Sequence, residues 1–213
     1  MMVVETRAIV SVIAAGFILS CSPGPSMLYI LSRTASQGRD GGIASALGLA
    51  TGGVFHVLLA TLGISAVIVA NPLIFKIIKF SGAFYLLYLG VCAAIDLLRR
   101  SRSTTSNIEQ IKDTPLITIY LQAALTEVTN PKTVVFFLSF IPQFINPDAG
   151  NVSVQSFILG SLIPITAMPS DLIIALGGGL MLKKVFDGKI SGLLVRALSS
   201  VVLIALGLRV AVV

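Results

Sequence analysis

The chain has 213 residues, of which 55% are hydrophobic and only 11% charged, against about 25% charged in ordinary soluble domains. With a mean hydropathy of +0.98 it cannot coat a water-facing surface, which excludes a soluble enzyme and implies an integral membrane protein with the lipid bilayer as its main partner. The formal net charge of +6 is informative through where the charges fall, and nothing in their distribution calls for a nucleic-acid partner.

Six apolar segments follow one another, each long enough to span a bilayer at about 20 residues. The first covers about residues 8–30 and is interrupted at Pro23 and Pro25. It starts with Glu5 and Arg7 and ends in no small-residue cleavage pattern, so a cleaved signal peptide is not expected. The second covers about residues 43–70, and Asn71-Pro72 turns the chain into the third, about 73–98. The polar stretch "RRSRSTTSNIEQIKDT" is the longest loop. The fourth segment covers about 116–141, with an interruption at Asn130-Pro131. "PQFINPDAGN" connects it to the fifth, about 154–182, which contains Pro164 and Pro169. The sixth covers about 190–212.

Basic residues orient the segments. Arg33 and Arg39, then Arg99, Arg100, Arg102 and Lys112, then Lys183, Lys184 and Lys189 fall in connections on one face. Arg7, Lys76, Lys79 and Arg209 fall on the other. The richer face is expected in the cytoplasm, which puts both termini outside.

A repeat is visible. "KFSGAFYLLYLG" in the third segment and "RALSSVVLIALG" in the sixth both place a cation ahead of a Leu-Gly pair. The first and fourth segments both carry proline breaks, "SPGP" and "TNPK". An odd number of helices per half forces the halves to lie inverted. The expected fold is therefore an all-α integral membrane protein with six transmembrane helices as two inverted three-helix repeats, helices one and four broken at proline. The whole chain, 1–213, forms one transporter domain: repeat 1 about 1–100, a polar loop about 99–114, and repeat 2 about 115–213.

The breaks carry the chemistry. A half-helix that begins inside a membrane points free N–H groups and a positive dipole end into a cavity, and one that ends there offers free carbonyls. Together they suit a molecule with a carboxylate and an ammonium. In "SPGPS", Pro23 and Pro25 donate nothing, Gly24 permits close approach, and Ser22 and Ser26 are placed to cap or touch a ligand. The alternative is a kink that only shapes packing. In "TEVTNPK", Asn130 is placed to cap a helix that starts at Pro131. Lys132 then sits in the first turn, where a cation opposes the dipole, so a counter-charge is expected from a substrate carboxylate or from Glu127. Snorkelling to an interface is the alternative for both.

Asp171 lies deep in the fifth segment and is placed to bind an ammonium or carry a proton, or to form an ion pair with Lys132 or Arg196. His56, the only histidine, falls among glycines suited to close helix packing; it reads equally as a proton relay or as a hydrogen-bonded packing residue. No second ligand has metal-binding spacing, and no cofactor is expected. The two cysteines, Cys21 and Cys92, lie in apolar stretches without CxxC spacing.

These residues give a resemblance. "SPGP", "GLATGGVFH", "KFSGAFYLLYLG", "NPKTVVFFLSFIPQF" and the aspartate of "SDLI", in this order over nearly the whole chain, resemble the LysE/RhtB family of bacterial amino-acid exporters. The resemblance implies a multi-pass inner-membrane exporter of amino acids or related small metabolites, driven by the proton motive force, and not an enzyme. It leaves the substrate and any homo-oligomer open. Glu127 departs from the neutral residue expected there in many relatives. Two rival readings remain. A metal-ion exporter wants more soft or acidic ligands. A transmembrane thiol–disulfide carrier wants a cysteine beside Pro131 to match Cys21 near Pro23.

Overall fold

The computed structural model describes residues 4–21, 24–70 and 114–177, with side chains described to Gly63 in the second stretch, and isolated positions between 73 and 95 and between 197 and 208. Helices α1 (Thr6–Cys21), α2 (Pro25–Ala70), α3 (Leu116–Val128), α4 (Pro131–Phe140) and α5 (Val152–Leu176) make up the described fold, with 3₁₀ turns at Ile141–Phe144 and Pro147–Ala149. There is no strand among the described residues. Ser22, Pro23, Lys79, Cys92 and Arg196, and most of the two stretches that carry the sequence repeat, lie outside them.

Two differences from the expected segments stand out. The stretch between the first two apolar segments is not an open loop: α2 runs on past Arg33 and is bent only at Gly38, with φ 67° and ψ −155°. A positive φ is inexpensive for glycine alone, so one residue reverses the chain and both arms stay helical. The described fifth helix ends at Leu176 rather than near residue 182, where Gly177 caps it by donating its N–H to Ile173 O at 2.8 Å.

The arm of α2 before Gly38 is tied to the start of α3 by polar contacts. Arg33 donates from Nη2 to Gln122 Oε1 at 2.8 Å and from Nη1 to Thr114 Oγ1 at 3.3 Å, and its guanidinium lies 5.4 Å from the centre of the Tyr29 ring. Gln37 Nε2 donates to Thr114 O at 2.8 Å. The arm after Gly38 packs between α3 and α5 through residues without side chains. A Cβ on Gly52 would lie 2.6 Å from Glu127 Cβ and 2.7 Å from Ala124 O, and one on Gly53 would lie 3.0 Å from Pro164 Cβ. Helices that gain no hydrophobic drive from lipid associate through this kind of close approach.

Helix starts follow local chemistry. Asn130 Oδ1 accepts from Lys132 N at 3.0 Å, with Pro131 filling a position whose N–H needs no partner. Asn151 Oδ1 accepts from Ser153 N and Val154 N to open α5. The connector after α4 is compact: Ile141 and Pro142 are buried, Phe136 stacks on Phe140 at 4.8 Å, and Phe144 meets Phe140 edge-on at 4.9 Å.

Two apolar clusters result. One joins α1, α4 and α5 around Val12, Phe136, Phe140 and Leu159. The other joins both arms of α2 to α3 and the end of α5 around Ile30, Leu49, Ala123 and Ala175. The outer faces stay apolar, with Phe17, Leu62, Leu121 and Ile165 exposed. Among the described residues, Pro25–Gly63 and Val152–Leu176 are long and apolar enough to cross a membrane, with mean hydropathies of 1.8 and 1.7.

Packing and capping make separate demands on stability. Gly52→Val is expected to cost about 1–3 kcal/mol, as overpacking does. Gly63→Ala, whose Cβ meets nothing within 4 Å, is expected to be silent. Melting of the detergent-purified variants checks the contrast, and equal midpoints would contradict it. In the same assay Asn130→Ala is expected to lose about 1 kcal/mol with its cap.

A candidate binding site between two helix breaks

A cavity of about 70 Å³ lies between the two apolar clusters. Its wall takes residues from every described helix. Gly16, Leu19 and Ser20 come from the end of α1; Gly24, Ser26 and Met27 from the start of α2; Leu49, Ala50 and Gly53 from its second arm. Glu127, Asn130, Lys132, Thr133 and Phe137 come from the α3–α4 junction, and Ile163, Pro164, Ala167 and Asp171 from α5. The residues singled out in "TEVTNPK" therefore meet Gly24, Ser26 and Asp171 in one space. Pro25 and Pro131 are exposed and are not on that wall; each opens the helix that follows its break.

Glu127 is the hub. Ser26 Oγ donates to its Oε2 in a very short hydrogen bond, and Thr133 Oγ1 donates to Oε1 at 2.8 Å. Asn130 Nδ2 donates to Ser26 Oγ at 2.8 Å, so the hydroxyl that serves Glu127 is held from behind. Each carboxylate oxygen thus has a hydroxyl partner, as a charge away from water requires. Ser26, Glu127, Asn130 and Thr133 form one network that joins the start of α2 to the α3–α4 junction.

Lys132 Nζ donates to Leu19 O, near the end of α1, at 2.9 Å. The cation read from sequence as needing a counter-charge thus reaches a backbone carbonyl while lining the same cavity as Glu127. Asp171 is half-buried on that wall and makes no hydrogen bond to another described residue. One turn-edge away, Ser20 and Ser170 pair at 3.1 Å between α1 and α5. His56 is 4% exposed and does not line the cavity; it stands behind it, with Nε2 2.8 Å from Glu127 O.

Two carboxylates and one ammonium share the space. If all three are ionised, a single positive charge completes neutrality. The first turn of α2 supplies the complementary end: the N–H groups of Ser26 and Met27 lie in its opening turn, where no intrahelical acceptor exists. An anion is favoured there by the helix dipole. Sequence reasoning missed Thr133, Ser20 and Ser170. Ser20 and Ser170 are partners across 150 positions, and Thr133 meets Glu127 only because the chain turns between α3 and α4, so nothing local to them marks a role.

Compared with known proteins, residues 17–213 match the family described as LysE type translocator. The leucine efflux protein of Salmonella typhimurium (strain LT2) is 34% identical over 146 residues, covering 68% of this chain and 66% of that protein. The leucine efflux protein of Salmonella typhi matches to the same extent, so the match spans just under two thirds of the length of these relatives. Bacillus subtilis (strain 168) has an "Uncharacterized membrane protein YrhP" that is 35% identical over 150 residues, covering 68% of this chain and 71% of the relative. No solved structure matches the chain. With the family match running over nearly its whole length and the candidate cavity built from the residues of its two proline breaks, the chain belongs to the LysE type translocator family.

Proposed function

We propose that this protein exports an amino acid with an apolar side chain across the cytoplasmic membrane of a bacterium, driven by the proton motive force. The observation that carries the proposal is the cavity itself: a helix start, an ammonium and a carboxylate without a described hydrogen-bond partner face one space between the breaks. In this reading the substrate carboxylate meets the first turn of α2 and Lys132. Its ammonium meets Asp171, with Glu127 holding the network behind it. Leu19, Met27, Leu49, Phe137 and Ile163 complete the wall, and they receive an aliphatic side chain better than a charged one. The names of the Salmonella relatives support the same class.

Asp171 exchanges cations. With no ammonium present it takes a proton from outside, and it gives that proton to the cytoplasm as substrate binds. Asp171 holds one cation at a time, a proton or the substrate ammonium, while the substrate carboxylate is met separately at the first turn of α2; substrate and proton therefore alternate at Asp171, which is the requirement for exchange. At about 70 Å³ the cavity is smaller than an amino acid, so a whole substrate enters only when its walls part. Six transmembrane helices in two inverted halves, both termini outside, give those walls as two bodies that rock about the breaks.

Inside-out vesicles with an acid interior test this. They are expected to accumulate labelled leucine or a similar apolar amino acid, but not lysine, and to lose it when a protonophore is added. Asp171→Asn is expected to lower proton-driven uptake by about tenfold or more, the scale of losing one charge-assisted contact. Unchanged proton-driven uptake by that variant would remove the coupling role, and transport of no amino acid would remove the function.

A further inference from the structure

A proline has no N–H, so the carbonyl four residues before it loses its helical donor. In the second break that carbonyl belongs to Glu127, four residues ahead of Pro131. The loss falls on the residue whose side chain is the hub of the cavity network. Asn130 N donates to Glu127 O at 3.0 Å, and a second donor arrives from another helix: His56 Nε2, at 2.8 Å. A carbonyl oxygen only accepts, so Nε2 carries the proton.

The rest of the surroundings fix this ring in place. His56 is buried and stacks on Phe137 with centroids 5.7 Å apart. It stands four residues beyond Gly52 and eight beyond Gly48, on one face of α2. A Cβ at Gly48 would strike Tyr120 O, and one at Gly52 would strike Ala124 O and Glu127 Cβ. α3 therefore lies directly on this stripe, and its last turn ends at the imidazole. Two glycines let the helix approach, and the histidine donates to the carbonyl of its last residue but one.

We infer that His56 is a positioning residue for the cavity: it replaces the N–H that Pro131 removes, and so fixes the height at which Glu127 enters the Ser26–Asn130–Thr133 network. It is not the proton relay, because the nitrogen facing the site is committed to a backbone oxygen and the ring does not reach the cavity. The corresponding carbonyl of the first break, Leu19 O, lies four residues ahead of Pro23 and is met by Lys132 Nζ at 2.9 Å. In each break, a side chain from elsewhere stands where proline has deleted a donor.

The inference rests on the proposed transport role only where activity is read, so its test has two arms. His56 is the only histidine, so a sample labelled with ¹⁵N-histidine reports one ring. Magnetic resonance of the wild-type protein in lipid is expected to show the Nε2–H form with Nε2 hydrogen-bonded; a ring protonated at Nδ1 alone would overturn the inference whether or not the protein transports anything. In vesicles, His56→Leu keeps bulk but loses the donor, and KM is expected to rise roughly tenfold, the scale of one lost neutral hydrogen bond. His56→Gln keeps an N–H donor and is expected to restore KM to within about threefold with proton-driven accumulation intact. Wild-type KM in the leucine variant would overturn the inference. So would a glutamine variant that folds and binds but no longer couples to protons, since that outcome assigns the ring a proton-carrying role. If wild-type vesicles transport no amino acid, the proposed function fails and the resonance arm still decides the role of His56.

Discussion

The carbonyl of Glu127 and the carbonyl of Leu19 share a deficit that shapes this structure. Each precedes a proline by four residues, so neither receives the usual helical N–H from four residues on; Asn130 N reaches Glu127 O at 3.0 Å and leaves that oxygen room for a second donor. In water the deficit is small, because solvent supplies a donor. Between apolar faces, an unpaired carbonyl costs several kcal/mol or roughly that. Donors from across the fold answer the deficit: His56 from α2 joins Asn130 N at Glu127 O, and Lys132 from α4 reaches Leu19 O. The two donors therefore do more than fill vacancies: they bind each break to a helix that is distant in sequence. The close packing of α2 on α3 at Gly48 and Gly52 is what lets His56 come near enough to serve.

Once the breaks are held, the cavity chemistry follows. Glu127 is brought to the wall with both oxygens occupied by Ser26 and Thr133, and Asn130 serves Ser26 while capping α4. A carboxylate held this way is part of the frame. Asp171 makes no hydrogen bond to another described residue, and the proposed mechanism gives it the mobile cation. This division of labour between two carboxylates in one space underlies the proposed exchange of a substrate ammonium for a proton.

Much of this was legible in the sequence where the chemistry is local. Asn130 reads as a cap and Pro131 as a first helical residue because both roles are settled within three positions. The deficits themselves are legible too, since a proline names the carbonyl it orphans. The donors are not. Lys132 reads from sequence as a cation in search of a counter-charge, while its described partner is a carbonyl 113 positions away. His56 reads as relay or packing residue with equal weight, and the positioning role inferred for it rests on the register of α3 on the glycine stripe, which no local pattern marks. The boundary after the first segment misleads for a different reason. The charges and glycines around residues 33–42 look like a loop, yet Gly38 alone makes the turn and the flanking residues stay helical.

The most direct test asks whether the space between the breaks is where the transported molecule sits. Ala50 lines the cavity without belonging to its polar network. In a Cys21→Ser, Cys92→Ser background, Ala50→Cys gives one thiol on the wall, and its rate of reaction with a small soluble thiol reagent can be followed with and without substrate. The expected result is saturable protection by an apolar amino acid, at concentrations that also saturate transport, and none by the same molecule lacking either its carboxylate or its ammonium. Reaction at one rate under all these conditions, in a variant that still exports the amino acid, would contradict the assignment of the site.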